Sequence, residues 1–177
     1  AALLLAELAA DLKAHGKTLH QKLDEIFCEY GCHLERQLAI KLPGAAGMDR
    51  MQEIMAGLRA DVPAEFSGLP VRRARDYGQL KILESGGREI PFEGEKGDLV
   101  IFDLIGSNSP SNEDSEYEFP PLRNAIAARP SGTEPKIKFY LFTFSPPMAR
   151  AELPSVKRLL ESRLDLLEKD LRKRVGV

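Results

Sequence analysis

The sequence has few of the residues that bind metals or form covalent cross-links. Its 177 residues include two cysteines and three histidines. Cys28 and Cys32 lie four residues apart with His33 beside the second, but a zinc site would need two more ligands at suitable spacing, which the other two histidines do not supply. We therefore expect two reduced thiols on a helix that ends near Gly31, as is usual in the cytoplasm, and no metal site.

An excess of charge of one sign and a long apolar run are also missing. The formal net charge is -2, with 43% hydrophobic and 29% charged residues. This balance excludes a broadly basic surface for nucleic acid or an anionic membrane, and it is typical of a globular protein with its own core. No apolar run has the length of a membrane span, and the apolar first residues lack the basic flank of a signal peptide. We expect a cytoplasmic protein without nucleic-acid or membrane partners.

The first part of the chain has the pattern of two helices. Leucines recur at helical spacing in residues 1–14, and Gly16 predicts the end of that helix. These leucines are Leu4, Leu5, Leu8 and Leu12. Thr18 followed by Gln21 is a capping box that predicts the start of a second helix, which Gly31 ends. The apolar pattern is already under way at residue 1, without an initiator Met, so we expect a piece of a longer protein.

From residue 33 onward, alternating apolar residues predict strands separated by two further helices. The predicted strands are 33–42, 71–77, 98–105, 123–128 and 137–144, and the helices are 49–59 and 152–175. The Gly- and charge-rich segment 84–97 is predicted to be a loop. Segment 106–121 is rich in Ser, Asn, Glu and Asp, and predicts a mobile surface insertion. Together these elements predict an α+β fold in which an antiparallel sheet is flanked by two helices.

The polar turn between the last two predicted strands carries the most chemical information. It reads Arg129-Pro130-Ser131-Gly132-Thr133-Glu134-Pro135-Lys136. Arg129 offers a planar fork of donors that suits two phosphate oxygens, and Ser131 and Thr133 add hydroxyl donors. Gly132 would let successive N–H groups point inward as an anion nest. These features predict a phosphate site, but Pro, Ser, Gly and Thr are also ordinary residues of a surface turn, so both interpretations stay open.

The strand after this turn predicts a cationic surface beside it. Polar and apolar residues alternate, so one face of the strand is cationic while the other faces the core. The first face carries Lys136, Lys138 and Tyr140, and the second carries Ile137, Phe139 and Leu141. The turn and the strand together favour an anion site.

The run 129–136 resembles the phosphate-binding loop in the fourth domain of the α-D-phosphohexomutases, the family of phosphoglucomutases and phosphomannomutases. The flanking runs 124–128 and 137–140 extend the resemblance, and residues 3–19 resemble the end of the family's third domain. The resemblance implies that residues 1–32 are the C-terminal helices of an α/β third domain. It implies that residues 33–177 form the fourth domain, which is TBP-like in this family.

The resemblance also implies a parent enzyme that moves a phosphoryl group between C1 and C6 of a hexose. Such an enzyme is an intramolecular phosphotransferase of carbohydrate metabolism. It works through a bisphosphorylated sugar and uses a phosphoserine and Mg²⁺. The resemblance implies glucose 1,6-bisphosphate as its cofactor. The fourth-domain loop holds the phosphate that is not being transferred. Arg129, Ser131, Gly132 and Thr133 match these phosphate contacts, and Lys138 matches a basic position that helps in some members.

The rest of the family's catalytic machinery has no counterpart in this sequence. Its phosphoserine loop, its metal loop of three aspartates and its sugar-recognition loop lie in the first three domains, and no matching run occurs here. The resemblance therefore implies a chain that binds and orients a sugar phosphate, contains no catalytic residue or Mg²⁺ ligand, and needs the missing N-terminal domains. A stand-alone phosphate- or phosphoprotein-binding module and an oligomerising piece are the alternatives.

Overall fold

The computed structural model describes residues 1–106 and 124–176. The helices are α1 (Ala2–Ala14), α2 (Leu19–Tyr30), α3 (Gly47–Ala60) and α4 (Leu153–Val175). The strands are β1 (Cys32–Lys41), β2 (Glu65–Phe66), β3 (Leu69–Asp76), β4 (Lys81–Glu84), β5 (Glu89–Pro91), β6 (Val100–Leu104), β7 (Ala125–Pro130) and β8 (Lys136–Ser145). Apart from its first residue, the predicted insertion at 106–121 lies outside the described residues.

The strands of the described residues form one antiparallel sheet. Its order is β1-β8-β7-β6-β3-β4-β5, with the two-residue β2 paired to β3. The longest pairing joins β1 to β8 and runs in register from Cys32 opposite Ser145 to Lys41 opposite Lys136. The predicted α+β class with an antiparallel sheet is confirmed. The candidate phosphate loop connects β7 and β8, which are neighbours within the sheet.

Helices α3 and α4 pack against the same face of the sheet. Ile137, Phe139 and Leu141 of β8 are fully buried and belong to one cluster with residues of both helices. The α4 residues in this cluster are Leu164, Leu167, Leu171 and Val175, and those of α3 are Met51, Ile54, Met55 and Leu58. Burial of each large apolar side chain contributes roughly 1.5–3 kcal/mol relative to exposure. The prediction of two flanking helices is confirmed, and the structure adds that both lie on one side.

The opposite face of the sheet carries a smaller apolar cluster. Ile101, Ala125 and Ala127 are buried there, with Tyr140 and Phe142 packed beside them. These residues alternate along the strands with the residues that face the helices, as the two-residue period of a strand requires. Arg129 and Lys138 have the same alternation and therefore lie on this face, at the end of the sheet nearest the loop.

Helices α1 and α2 form an appendage at one edge of the domain. The predicted capping box is present at Thr18, and Gly16 takes a positive φ of 70° after α1. Helix α2 is joined to the rest of the domain by an ion pair between Asp24 and Lys157 and by the Met148 N–H, which donates to the Cys28 carbonyl at 3.2 Å. The leucines at the start of α1 are largely exposed. Leu3, Leu4 and Leu5 are 80%, 69% and 56% exposed, so this helix has a partly bare apolar face.

The segment 84–97 was predicted to be a loop, and this prediction is wrong in part. Strand β4 ends at Glu84 and pairs with β5 at Glu89–Pro91, through a turn in which Gly87 has a φ of 81°. Strands of four and three residues are too short to show the alternation on which a strand prediction depends. Ser67 and Gly68 form the turn between β2 and β3, and both residues have positive φ.

Among the helices of the described residues, none is both long enough and apolar enough to span a bilayer.

Candidate anion-binding site

The candidate loop is a short connection held closed by its own backbone. The Ser131 N–H donates to the Lys136 carbonyl at 2.8 Å, and the Lys136 N–H donates to the Glu134 carbonyl at 2.7 Å. In the flanking strands, Arg129 lies opposite Lys138 and Pro130 opposite Ile137. The loop therefore spans residues 131–135, and Arg129 belongs to β7 rather than to the turn.

Arg129 is an exposed cation at the end of β7. Within residues 1–106 and 124–176, no hydrogen bond or ion pair engages its guanidinium group. This contrasts with Arg36, which contacts the carboxylates of Glu161, Asp165 and Glu168 at 2.7–3.3 Å. Because no carboxylate of the described ranges occupies it, the Arg129 guanidinium is free to bind an anion from solution. Its planar fork can bind two oxygens of one phosphate in parallel.

The loop places several further donors close in sequence to Arg129. Gly132 and Thr133 are exposed and Ser131 is half-buried. The Ser131 hydroxyl accepts a long bond, 3.5 Å, from the Thr133 N–H, which leaves the hydroxyl hydrogens of both residues available. A Cβ at Gly132 would meet no heavy atom within 4 Å, so there is open space beside the backbone at this position.

No residue of the loop has a positive φ, so a nest of alternating right- and left-handed residues is absent. Successive N–H groups can also converge in a turn, and the anion nest at Gly132 therefore stays a prediction. The other donors of this loop are the side-chain hydroxyls of Ser131 and Thr133. Such groups are suited to a phosphate that approaches from solvent, and less suited to an ion enclosed by backbone.

Lys138 belongs to a group of cations at this end of the sheet. Lys138 is half-buried, and in the described part of the chain no carboxylate is paired with it. Lys136, one row nearer the loop on the same face, is held at 3.1 Å by Glu134. Lys41 of β1 lies directly opposite Lys136, and Ala39 lies opposite Lys138. The sequence motif indicated Arg129, Lys136 and Lys138 but not Lys41, which only the pairing of β1 with β8 brings to the site.

The start of α3 and the residues just before it contact the loop at Pro135. The Leu42 N–H, just after β1, donates to the Pro135 carbonyl at 2.8 Å. Gly47 packs so closely that a Cβ there would lie 2.9 Å from the Pro135 Cβ and would overlap the Leu42 carbonyl oxygen. The absence of a side chain at Gly47 therefore lets the turn between β1 and α3 lie against the loop.

Residues 1–106 and 124–176 contain no group of three or more His, Cys, Asp or Glu side chains arranged to hold a metal ion. The described residues therefore offer no cluster of side-chain ligands for Mg²⁺. Cys28 and Cys32 are free thiols, and burial raises the pKa of the Cys32 thiol. The expectation that both lie on one helix is wrong for Cys32, which is the first residue of β1, after α2 has ended at Tyr30.

Taken together, the fold and the site define an α+β domain that presents unpaired cations and hydroxyl donors at the end of an antiparallel sheet. No protein-family model matches the chain. Curated relatives do match it. One is a phosphoglucomutase of Staphylococcus aureus (strain MRSA252), 31% identical over 141 residues, which are 78% of this chain and 22% of that protein.

A second relative is a probable phosphomannomutase of Haemophilus influenzae, 29% identical over 141 residues, or 80% of this chain and 22% of that protein. The phosphoglucomutase of Staphylococcus aureus (strain MSSA476) is 30% identical over 138 residues. The chain therefore has a family relationship to the phosphohexomutases. It spans about 22% of the length of these relatives.

Proposed function

We propose that this chain is the phosphate-binding, C-terminal part of a phosphoglucomutase or phosphomannomutase. The parent enzyme would interconvert hexose 1-phosphate and hexose 6-phosphate through a bisphosphorylated sugar. In it, residues 1–32 would be the last helices of the third domain and residues 33–177 the fourth domain. This chain would bind and orient the substrate, while catalytic groups and Mg²⁺ ligands would come from the N-terminal domains.

The observation that carries the proposal is the unpaired Arg129 beside the loop hydroxyls. A phosphate monoester is mostly dianionic at neutral pH and has three acceptor oxygens. The Arg129 fork would take two of these oxygens, and the hydroxyls of Ser131 and Thr133 would donate to the remaining lone pairs. Lys138, directly across from Arg129, would add a second positive charge.

An exposed binding site of this kind suits a phosphate that must be released during the reaction cycle. Exposed charges interact weakly because water screens them, so binding by this chain alone should be modest. Closure of this domain over the substrate in the full-length enzyme would exclude water and strengthen each contact. The chain would then act in positioning the sugar phosphate, and the full-length enzyme would supply the chemistry.

The experiment is an amide-shift NMR titration of this chain with glucose 1,6-bisphosphate. We expect saturable shifts centred on residues 129–138. Arg129→Ala should raise Kd by roughly 10- to 100-fold, because hydrogen bonds to charged groups contribute about 1.5–3 kcal/mol. Arg129→Lys keeps the charge and removes the fork, so its Kd should lie between those of the wild type and Arg129→Ala.

The matched control is Arg158→Ala, which removes an exposed arginine from α4 on the helical side of the domain. This variant should bind like the wild type. A wild-type chain that shows no saturable shift at millimolar ligand would contradict the proposal. Tighter binding of a phosphoserine peptide than of the sugar phosphate would instead favour the phosphoprotein-binding module.

A further inference from the structure

Lys41 lies on the same sheet face as the candidate phosphate site, although the sequence motif does not contain it. Along β1, Leu38 and Ile40 are buried against the helices, while Ala39 and Lys41 are exposed on the other face. Lys41 pairs with Lys136, and Ala39 pairs with Lys138. Side chains directly opposite each other in an antiparallel pair have Cβ atoms about 5 Å apart, and diagonal neighbours are about 7–8 Å apart.

These pairings place four cationic residues in two adjacent rows on one face of the sheet. Arg129 is opposite Lys138, and Lys41 is opposite Lys136 in the next row toward the loop. The carboxylate of Glu134 is bound to Lys136. In the described ranges no carboxylate is paired with Arg129, Lys138 or Lys41, so three positive charges face the same solvent region.

The lysine pair itself is unfavourable for folding. Like charges directly opposite each other in a sheet repel, and a neutral residue at position 41 would relieve this repulsion. Ala39 lies in the same row as Lys138 and Arg129, and its small side chain adds no bulk to that row on the β1 side. A dianion bound over this row would turn the repulsion among the cations into attraction toward the ligand.

The backbone holds Lys41 at a fixed distance from the loop. The next residue, Leu42, donates its N–H to the Pro135 carbonyl at 2.8 Å, and Gly47 packs against the same proline. Lys41 is therefore attached to a segment that is anchored to the loop at two points. Little backbone rearrangement is needed for its ammonium group to reach an anion held by the loop.

We propose that Lys41 is a further phosphate-positioning residue, which contributes a cation from β1 to the phosphate monoester held by Arg129 and the 131–135 loop. This inference rests on the proposed function, since it concerns the same ligand. The site would then extend across three strands, β7, β8 and β1. Positive charge would face the phosphate from β1 as well as from the loop and its flanking strands.

The test compares Lys41→Gln with Lys169→Gln, which removes one positive charge from an exposed position on α4. Glucose 1,6-bisphosphate and inorganic phosphate are titrated into the chain, and urea unfolding is measured without ligand. Lys41→Gln should raise Kd about two- to fivefold, the range for an exposed ion pair, and flatten its dependence on salt. Lys169→Gln should leave Kd unchanged, and Lys41→Arg should restore it.

A stabilising structural role for Lys41 gives the opposite pattern in the ligand-free chain. If Lys41 positions phosphate against mutual repulsion, Lys41→Gln should not lower the urea midpoint. Equal Kd values for Lys41→Gln and Lys169→Gln, with binding still dependent on Arg129, would overturn this inference and leave the proposed function standing. A lowered urea midpoint together with failure of Lys41→Arg to restore Kd would overturn it as well. Absence of wild-type binding would overturn the proposed function and this inference with it.

Discussion

Replacement of Gly47 by alanine tests whether the turn between β1 and α3 supports the phosphate loop. Gly47 is the first residue of α3 and is buried. An added Cβ would overlap the Leu42 carbonyl oxygen and lie 2.9 Å from the Pro135 Cβ. Both neighbours belong to backbone or to a rigid ring, so neither can move aside by a simple rotation.

The expected size of the effect follows from two opposing terms. Overpacking in a well-packed site costs roughly 1–3 kcal/mol. Alanine is a better helix former than glycine by about 0.8–1.0 kcal/mol in a helix interior, and by less at a helix start. We therefore expect Gly47→Ala to lower the free energy of unfolding by about 1–2 kcal/mol. Since the displaced groups contact Pro135, phosphate binding should weaken as well.

Gly57→Ala in the same helix is the matched control. A Cβ at Gly57 would meet nothing within 4 Å, so only the helix-forming gain applies there. This variant should be more stable than the wild type by about 0.5–1 kcal/mol. Urea unfolding with an unchanged m-value measures both free energies. A Gly47→Ala chain as stable as the Gly57→Ala chain would refute the close approach between the turn and the loop.

Two further predictions concern ionisable groups near α2. At pH 8, Cys28 should react with a disulfide reagent faster than Cys32, which is fully buried and whose thiol pKa is raised by burial. The reaction rate of Cys32 should fall about tenfold for each 1.4 kcal/mol of free energy that local opening of the structure around it requires. Stopped-flow traces of the Cys28→Ser and Cys32→Ser variants measure this, and equal rates would contradict it. The Lys17 ammonium, 2.7 Å from Glu25, lowers the pKa of that carboxyl from its ordinary value of 4.5. The pair therefore stabilises the folded chain above that value and loses its effect as pH falls through the folded pKa. Carboxyl NMR titration should show a higher Glu25 pKa in Lys17→Ala, and an unchanged value would exclude the pair.

Some parts of the structure follow directly from short-range patterns in the sequence. The capping box at Thr18, the alternation along β8 and the apolar stripe of α4 are each set by residues within one or two turns of one another. Local sterics and hydrogen bonding decide these features before any long-range contact forms. The same holds for the loop, whose chemistry is contained in a contiguous run of residues from Arg129 to Lys136.

The short β4–β5 hairpin shows where such patterns fail. Its two strands have only four and three residues, and its register depends on the β3 edge that it joins. Edge strands of this length have little periodicity, so a Gly- and charge-rich composition favours a loop prediction. Composition likewise permits a positive φ at Gly132 without requiring one, and Gly132 does not have one.

The sequence by itself predicted the longer helices and strands, the α+β class and Arg129, Ser131, Thr133 and Lys138 as candidate donors, because each of these depends on neighbouring residues. Only the tertiary structure decided that β1 pairs with β8, which brings Lys41 and Gly47 to a loop far along the chain. Strand partners and register are selected by burial of one face of the whole sheet against α3 and α4, and no local pattern encodes that choice. The full set of cations around the candidate site is therefore a property of the sheet, while the phosphate chemistry proposed for it depends on the contiguous residues of the loop.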